Sequence, residues 1–275
     1  MQSATVIYTI WLREFKAFMR ERSRIVGMIG QPLLYLLIVG QGIASGLSLK
    51  SAPGGLGYLL FMYPGILGMS VLFTSIFSGM SIIWDREFGF LREVLVAPVP
   101  RWAVAVGKIL GGATVAMAQS LILIALAPFI GVSLSVGLVL QLLLICFLIS
   151  IAMTGMGVAI AASMRSMQGF QMLMNFLVMP LYFLSGAMFP VSSAPGWMKA
   201  LMTLDPLTYG VDGLRIIVLS AAAPSGGTLE QPLEVAARAA GLVRWDLPFD
   251  AAVMAFVGVF FAALASVRFS RTENA

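Results

Sequence analysis

Residues 58–83 contain no Asp, Glu, Lys or Arg, and that run limits the possible folds more than any other feature. Helical structure is the one arrangement of a single isolated segment that satisfies all its own backbone groups without water, and about 20 such residues cross a hydrocarbon layer roughly 30 Å thick. Five further stretches read the same way: 25–47, 108–131, 134–162, 167–189 and 249–267. With 275 residues, 60% of them hydrophobic and 11% charged, and a mean hydropathy of +0.97, the chain is no ordinary water-soluble domain. The expected fold is an all-α integral membrane protein, one domain over 1–275 with six transmembrane helices.

The connecting segments set the orientation. Residues 5–22 read as an interfacial amphipathic helix, with Ile7, Trp11, Phe15 and Phe18 on one face and Arg13, Lys16 and Arg20 on another. Glu14 and Glu21 sit at the edge of the apolar side, placed to pair with neighbouring arginines or with a partner protein. No short apolar core with a small-residue cleavage site is present here, so the segment does not read as a secretory signal. With both termini cytoplasmic, most of the 17 basic residues fall on the inside, among them Arg86, Arg92, Arg101, Lys108, Arg165 and Arg268. The net charge of +5 is then a positive-inside signature and not a nucleic-acid footprint. Cys146, the single cysteine, lies in an apolar run, so no disulfide framework exists; histidine is absent, which removes the commonest general base and zinc ligand.

Polar groups inside the spans are few and therefore informative. Gln31 and Tyr35 share a face of the first span, while Gln168, Gln171, Asn175 and Tyr182 follow steps of three and four along the fifth. Amides at membrane depth face protein or a water-filled path rather than lipid, and helix bonding and path lining are both open on physics alone. Gly42 with Gly46 and Gly107 with Gly111 form small-xxx-small pairs of little weight in spans this rich in glycine. Residues 190–248 form an extracytoplasmic segment containing two short re-entrant or interfacial helices, 195–204 and 206–219. Asp205 is the expected N-cap of the second, and Asp212 and Arg215 are spaced to pair on it.

The densest charge lies in the cytoplasmic loop 84–107, which contains Asp85, Arg86, Glu87, Arg92 and Glu93. Phe90, Leu91, Val94 and Leu95 recur as one edge of a short helix between Gly89 and Pro98. Such a helix can plug into a groove on another protein; a solvated connector is the alternative.

The run G-F-L-R-E-x-L-x-A-P-x-x-R after a membrane helix, with Gly107-Lys108 at the next, resembles the signature loop of ABC type-2 exporter permeases, and FLREVLVAP is most similar to the drug-resistance branch of daunorubicin exporters. F-P-x-S-x-x-P-x-W and D-P-L-T-Y-G-V-D-G-L-R after the fifth span are similar to the same family. The resemblance implies that the loop is a coupling helix docking on an ABC ATPase through Asp85, Arg86, Glu87, Phe90, Leu91, Arg92, Glu93 and Val94. It further implies two ATPase copies, a second permease copy, and a path between the permease halves, for which Gln31, Tyr35, Gln171, Asn175 and Tyr182 are candidates. Export of a drug, lipid or glycan-lipid across the plasma (inner) membrane would follow.

Energy must then come from outside the chain. Lys108 and Asp250 stand at span ends and no Asp, Glu, Lys or Arg lies deeper, whereas ion-coupled carriers keep such a residue at depth. No phosphate-binding loop is present, so ATP and Mg belong on the partner ATPase and no cofactor or metal is expected on this chain. An ATP-independent channel or carrier is the alternative function, and an embedded hydrolase lacks a base for its nucleophile.

Overall fold

The computed structural model describes residues 2–39, 58–90, 99–221, 237–238 and 241–271. Helices carry the architecture and no extended strand forms among these residues. In chain order they are α1 (Gln2–Arg20), α2 (Arg22–Leu34), α3 (Tyr58–Ser78), α4 (Met80–Glu87), α5 (Arg101–Ala125), α6 (Val136–Ala161), α7 (Met167–Leu184), α8 (Gly196–Leu204), α9 (Pro206–Ala221) and α10 (Leu247–Arg271). Five segments are long and apolar enough to cross a membrane: Leu59–Glu87, Arg101–Ala125, Val136–Ala161, Met167–Leu184 and Leu247–Ser270. The helix of the first expected span is described only to Val39; Pro32 lies inside it, and it widens into a π turn over Tyr35–Val39. The rest of that span, with Gly42 and Gly46, lies outside the described residues.

At the centre stands α6, apolar on all sides, packed against α3, α5, α9 and α10. Glycines set how closely its neighbours approach. A Cβ on Gly79, at the α3–α4 break, would lie 2.6 Å from the carbonyl carbon of Gly157 in α6, so two backbones touch there. The Gly107/Gly111 pair proves to be a helix seam. A Cβ at these positions would meet Ile10 at 2.8 Å and Glu14 at 2.6 Å, which lets α1 lie directly on α5.

Several boundaries differ from the sequence reading for local reasons. Pro100 precedes the first turn of α5, and residues 101–106 contain neither Pro nor Gly, so α5 begins at Arg101 rather than at Lys108. Lys108 is thereby placed two turns inside the helix. Likewise α4 runs on to Glu87, whereas α7 stops at Leu184 because Gly186 adopts a positive φ of 75°. The two short helices of the 190–248 segment form as expected, but every residue of α9 from Leu207 to Leu219 is buried. It is an internal element packed on α3, α6 and α10.

Candidate functional site

Where α4, α5 and α1 meet, four ionisable side chains converge under cover. The Lys108 Nζ donates to Glu14 Oε1 at 2.6 Å, to Ser81 Oγ at 3.1 Å and to the Asp85 carboxylate. The Arg13 guanidinium grips both oxygens of Asp85, one at 2.9 Å, and stands 3.3 Å from Glu14. Side chains are 2% exposed at Lys108 and 7% at Asp85, so the pair is shielded from screening, while Arg13 at 38% reaches water. Its Cζ lies 3.6 Å from the centre of the Phe90 ring, which ties the first residue of the expected docking helix to α1. Trp11 Nε1 donates to Thr114 Oγ1 at 2.8 Å and closes the same seam.

This geometry divides the expected coupling residues. Asp85 is directed into the fold and cannot present its carboxylate to a partner; α5 starting at Arg101 supplies the buried ammonium that holds it. Arg86 also turns inward, donating to the carbonyls of Ala162, at 3.0 Å, and Met164. Glu87 and Phe88 are exposed, Phe88 by 83%, and Phe90 is half-buried beneath Arg13 instead of facing water. Leu91, Arg92, Glu93 and Val94 lie outside the described residues. The expectation that no Asp, Glu, Lys or Arg sits inside a span is corrected by Lys108, whose depth follows from the earlier helix start. Glu14 finds its main partner in Lys108 across the glycine seam, a contact that no local pattern in α1 announces.

Candidate path residues separate into two places. Gln31 and Tyr35 line a cavity of about 260 Å³ between α2, α3 and α5, with Met28, Phe73, Phe77 and Gln119 also in its wall. Gln119 and Thr74 had no signal in the periodicity of the sequence; Thr74 donates to Gln119 Oε1, and Gln119 Nε2 donates to the Met28 carbonyl at 2.6 Å. On α7, Gln171 and Asn175 are exposed, away from that cavity. Tyr182 does not continue their face: it is 4% exposed, with its hydroxyl 3.2 Å from Met188 Sδ. Seven residues beyond Asn175 would be in phase on a helix, but here the end of α7 is covered by the turn at Ser185 and Gly186.

At the opposite end of the bundle, α9 is held by its own charges. Asp205 Oδ1 accepts the Leu207 N–H at 2.9 Å, the expected cap, while Oδ2 has no hydrogen-bond partner among the described residues. Burial pushes this carboxyl up to about 8, against the lowering effect of the Leu207 N–H. Asp212 and Arg215 form no direct hydrogen bond. Asp212 Oδ2 accepts the backbone N–H groups of Arg244 and Trp245 at 3.0 Å each, and Arg215 donates to Gly186 O at 2.8 Å and Leu242 O at 3.1 Å. Both side chains thus fasten the segment entering α10. Among the described residues no group of three or more His, Cys, Asp or Glu is placed to hold a metal ion.

The family profile described as ABC-2 type transporter matches residues 5–219. The chain belongs to the ABC-2 type transporter family. Among its relatives, the inner membrane transport permease YadH of Escherichia coli K12 is 26% identical over 212 residues, covering 75% of this chain and 80% of YadH. The transport permease ycf38 of Cyanophora paradoxa is 27% identical, covering 77% of this chain and 73% of ycf38. Nodulation protein J of Rhizobium meliloti is 25% identical, covering 76% and 80%. This ABC-2 chain is therefore a multi-pass membrane protein and a transport permease subunit. The matched region takes in α1 as well as α9, so the ion cluster and the buried α9 both belong to the family domain.

Proposed function

We propose that the chain is the membrane half of an ATP-driven exporter, with two permease copies working with two copies of a separate ATPase that carries the ATP and Mg. One observation carries this reading: the end of α4 and the residue that starts the following loop are fastened to the bundle, Asp85 to Lys108 and Arg13, and Phe90 to Arg13. A passive connector has no need of a buried ion cluster, whose formation desolvates several charges. A loop that must deliver a push to the bundle does. Glu87 and Phe88, exposed beside it, together with Leu91, Arg92, Glu93 and Val94, form the docking edge in this reading.

The α1 end of the bundle is then cytoplasmic, with both termini inside, in the inner membrane as the name of the relative YadH states for that protein. Gln31 and Tyr35 belong to the path, joined by Thr74 and Gln119. The residues lining their cavity include no Asp, Glu, Lys or Arg, which suits an uncharged apolar or amphipathic portion of a drug, lipid or glycan-lipid. Gln171 and Asn175, exposed on a mostly apolar helix, face the second permease copy, because amides are costly against lipid.

Purification from native membranes with mild detergent tests the reading. A Walker-type ATPase is expected to co-purify, and vesicles containing both chains should export only with ATP. Undiminished transport in vesicles lacking any ATPase would establish the ATP-independent carrier instead.

A further inference from the structure

Asp85, Arg86 and Glu87 follow one another in the last turn of α4, and successive helical side chains point about 100° apart. Each has a different destination. Asp85 enters the cluster with Arg13 and Lys108, Glu87 faces outward, and Arg86 reaches across to the turn between α6 and α7. That turn is short and well defined. Ala162 ends α6, Ser163 and Met164 bond back to Ile160 and Ala161, and Ser166 caps α7 by accepting the Gly169 N–H at 3.3 Å.

The chemistry of the contact is specific. Carbonyls at a helix C-terminus lack intrahelical donors and carry the negative end of the helix dipole. The planar guanidinium of Arg86 meets one of these and a carbonyl of the following turn at once, Nη2 with Ala162 O and Nη1 with Met164 O. A fork of this kind fixes direction as well as distance, which a single ammonium does not. From the other side, Arg268 near the end of α10 donates to Ser163 Oγ at 2.9 Å. The turn that leads into α7 is thus held from α4 and from α10.

We infer that Arg86 is the positioning residue that transmits displacement of the loop to α7. Asp85 and Arg86 split that displacement, one directing it to α1 and α5, the other to the α6–α7 turn. Movement of the stem then reaches the helix that exposes Gln171 and Asn175 through the C-terminal end of the central helix α6 and not along its length. The inference rests on the ATP-driven reading above, and its two parts are tested separately.

The full complex with the ATPase that co-purifies is reconstituted in vesicles, parental and with Arg86→Gln or Arg86→Lys. Glutamine keeps a hydrogen-bonding group but loses the charged fork. Expected for Arg86→Gln are normal insertion, unchanged ATPase binding and continued ATP hydrolysis, with export per ATP lowered by about tenfold, the factor carried by roughly one charge-assisted hydrogen bond. Arg86→Lys should fall between this variant and the parent. Nitroxide labels at Trp84→Cys and Gln168→Cys, both exposed, provide a readout independent of transport, since the one native cysteine, Cys146, is buried. Their separation should be narrow and unchanged by ATP in the parent, and broad in Arg86→Gln. Parental export per ATP in Arg86→Gln, or an unaltered label distance, overturns the relay. Absence of ATP-dependent export in the parental complex overturns instead the exporter reading on which it rests.

Discussion

Replacing Lys108 by Met removes one ammonium and keeps a straight apolar side chain of similar length, so the packing of α5 should survive while the charge balance does not. The ammonium now contacts Glu14 at 2.6 Å and also Asp85. At a separation of about 3 Å and an effective dielectric constant of about 20, each contact has a gross attraction of roughly 5 kcal/mol. Most of that is cancelled by the desolvation of three charges when the fold forms. Removing the cation alone leaves two carboxylates side by side, the situation in which breaking a buried pair costs about 3–5 kcal/mol. Arg13 still serves Asp85, and Glu14 is 17% exposed, so the lower end applies, about 3 kcal/mol. Denaturant midpoints in lipid–detergent micelles measure the loss. With the other four tryptophans replaced by Phe, Trp11 fluorescence reports α1 leaving α5, because its indole is bonded to Thr114 across the seam. In the double variant Asp85→Leu, Lys108→Met the remaining charges, Arg13 and Glu14, pair with each other, and stability should return to within about 1 kcal/mol of the parent. Loop-driven export should stay impaired in the double variant, since Asp85 no longer joins the stem to α1. A single variant that loses under about 1 kcal/mol, or a double variant as unstable as the single, would refute the claim that a buried, mutually dependent ion cluster holds this junction.

Three further outcomes follow from particular contacts. Gly111→Leu should cost about 1–3 kcal/mol and detach α1, read as increased proteolysis of the N-terminal helix, whereas Gly137→Ala, with open space around its position, should be neutral or slightly stabilising. Asp212→Ala strands the backbone N–H groups of Arg244 and Trp245; a loss of about 1–3 kcal/mol for each that stays buried and unpaired is expected, with hydrogen exchange fastest at the entrance to α10. For Asp205, a folded-state value pushed up to about 8 from 3.8 means that its contribution to stability is fully present below the unfolded value and is lost as pH rises through the folded one. Asp205→Asn keeps an oxygen for the Leu207 N–H and should flatten the decline of denaturant midpoint between pH 4 and 8; an unchanged slope would show that this carboxyl is not the group responsible.

Much of the membrane architecture was legible because in hydrocarbon the backbone itself restricts the options. Uncharged runs such as 58–83 had to become helices, Asp205 could cap only what followed it, and Pro195 with Pro206 marked the starts of two short helices. The candidate site was only half visible. Spacing placed Gln31 and Tyr35 together, and local charge density singled out Asp85 and Arg86 without revealing that both turn inward.

What the sequence determined alone is everything that depends on neighbours within a few turns: the helices, their caps, the amphipathic character of α1 and the membrane as solvent. Tertiary structure alone decided which charges met. Glu14 and Lys108 are 94 residues apart, and they pair because Gly107 and Gly111 let α1 lie on α5. Gln119 found Met28 and Thr74 because α2 and α3 close over it. Periodicity indicates a side chain's azimuth on its own helix, but not which helix faces it or how near; glycine seams, the early start of α5 and the burial of α9 set those distances, and through them the ion pairs.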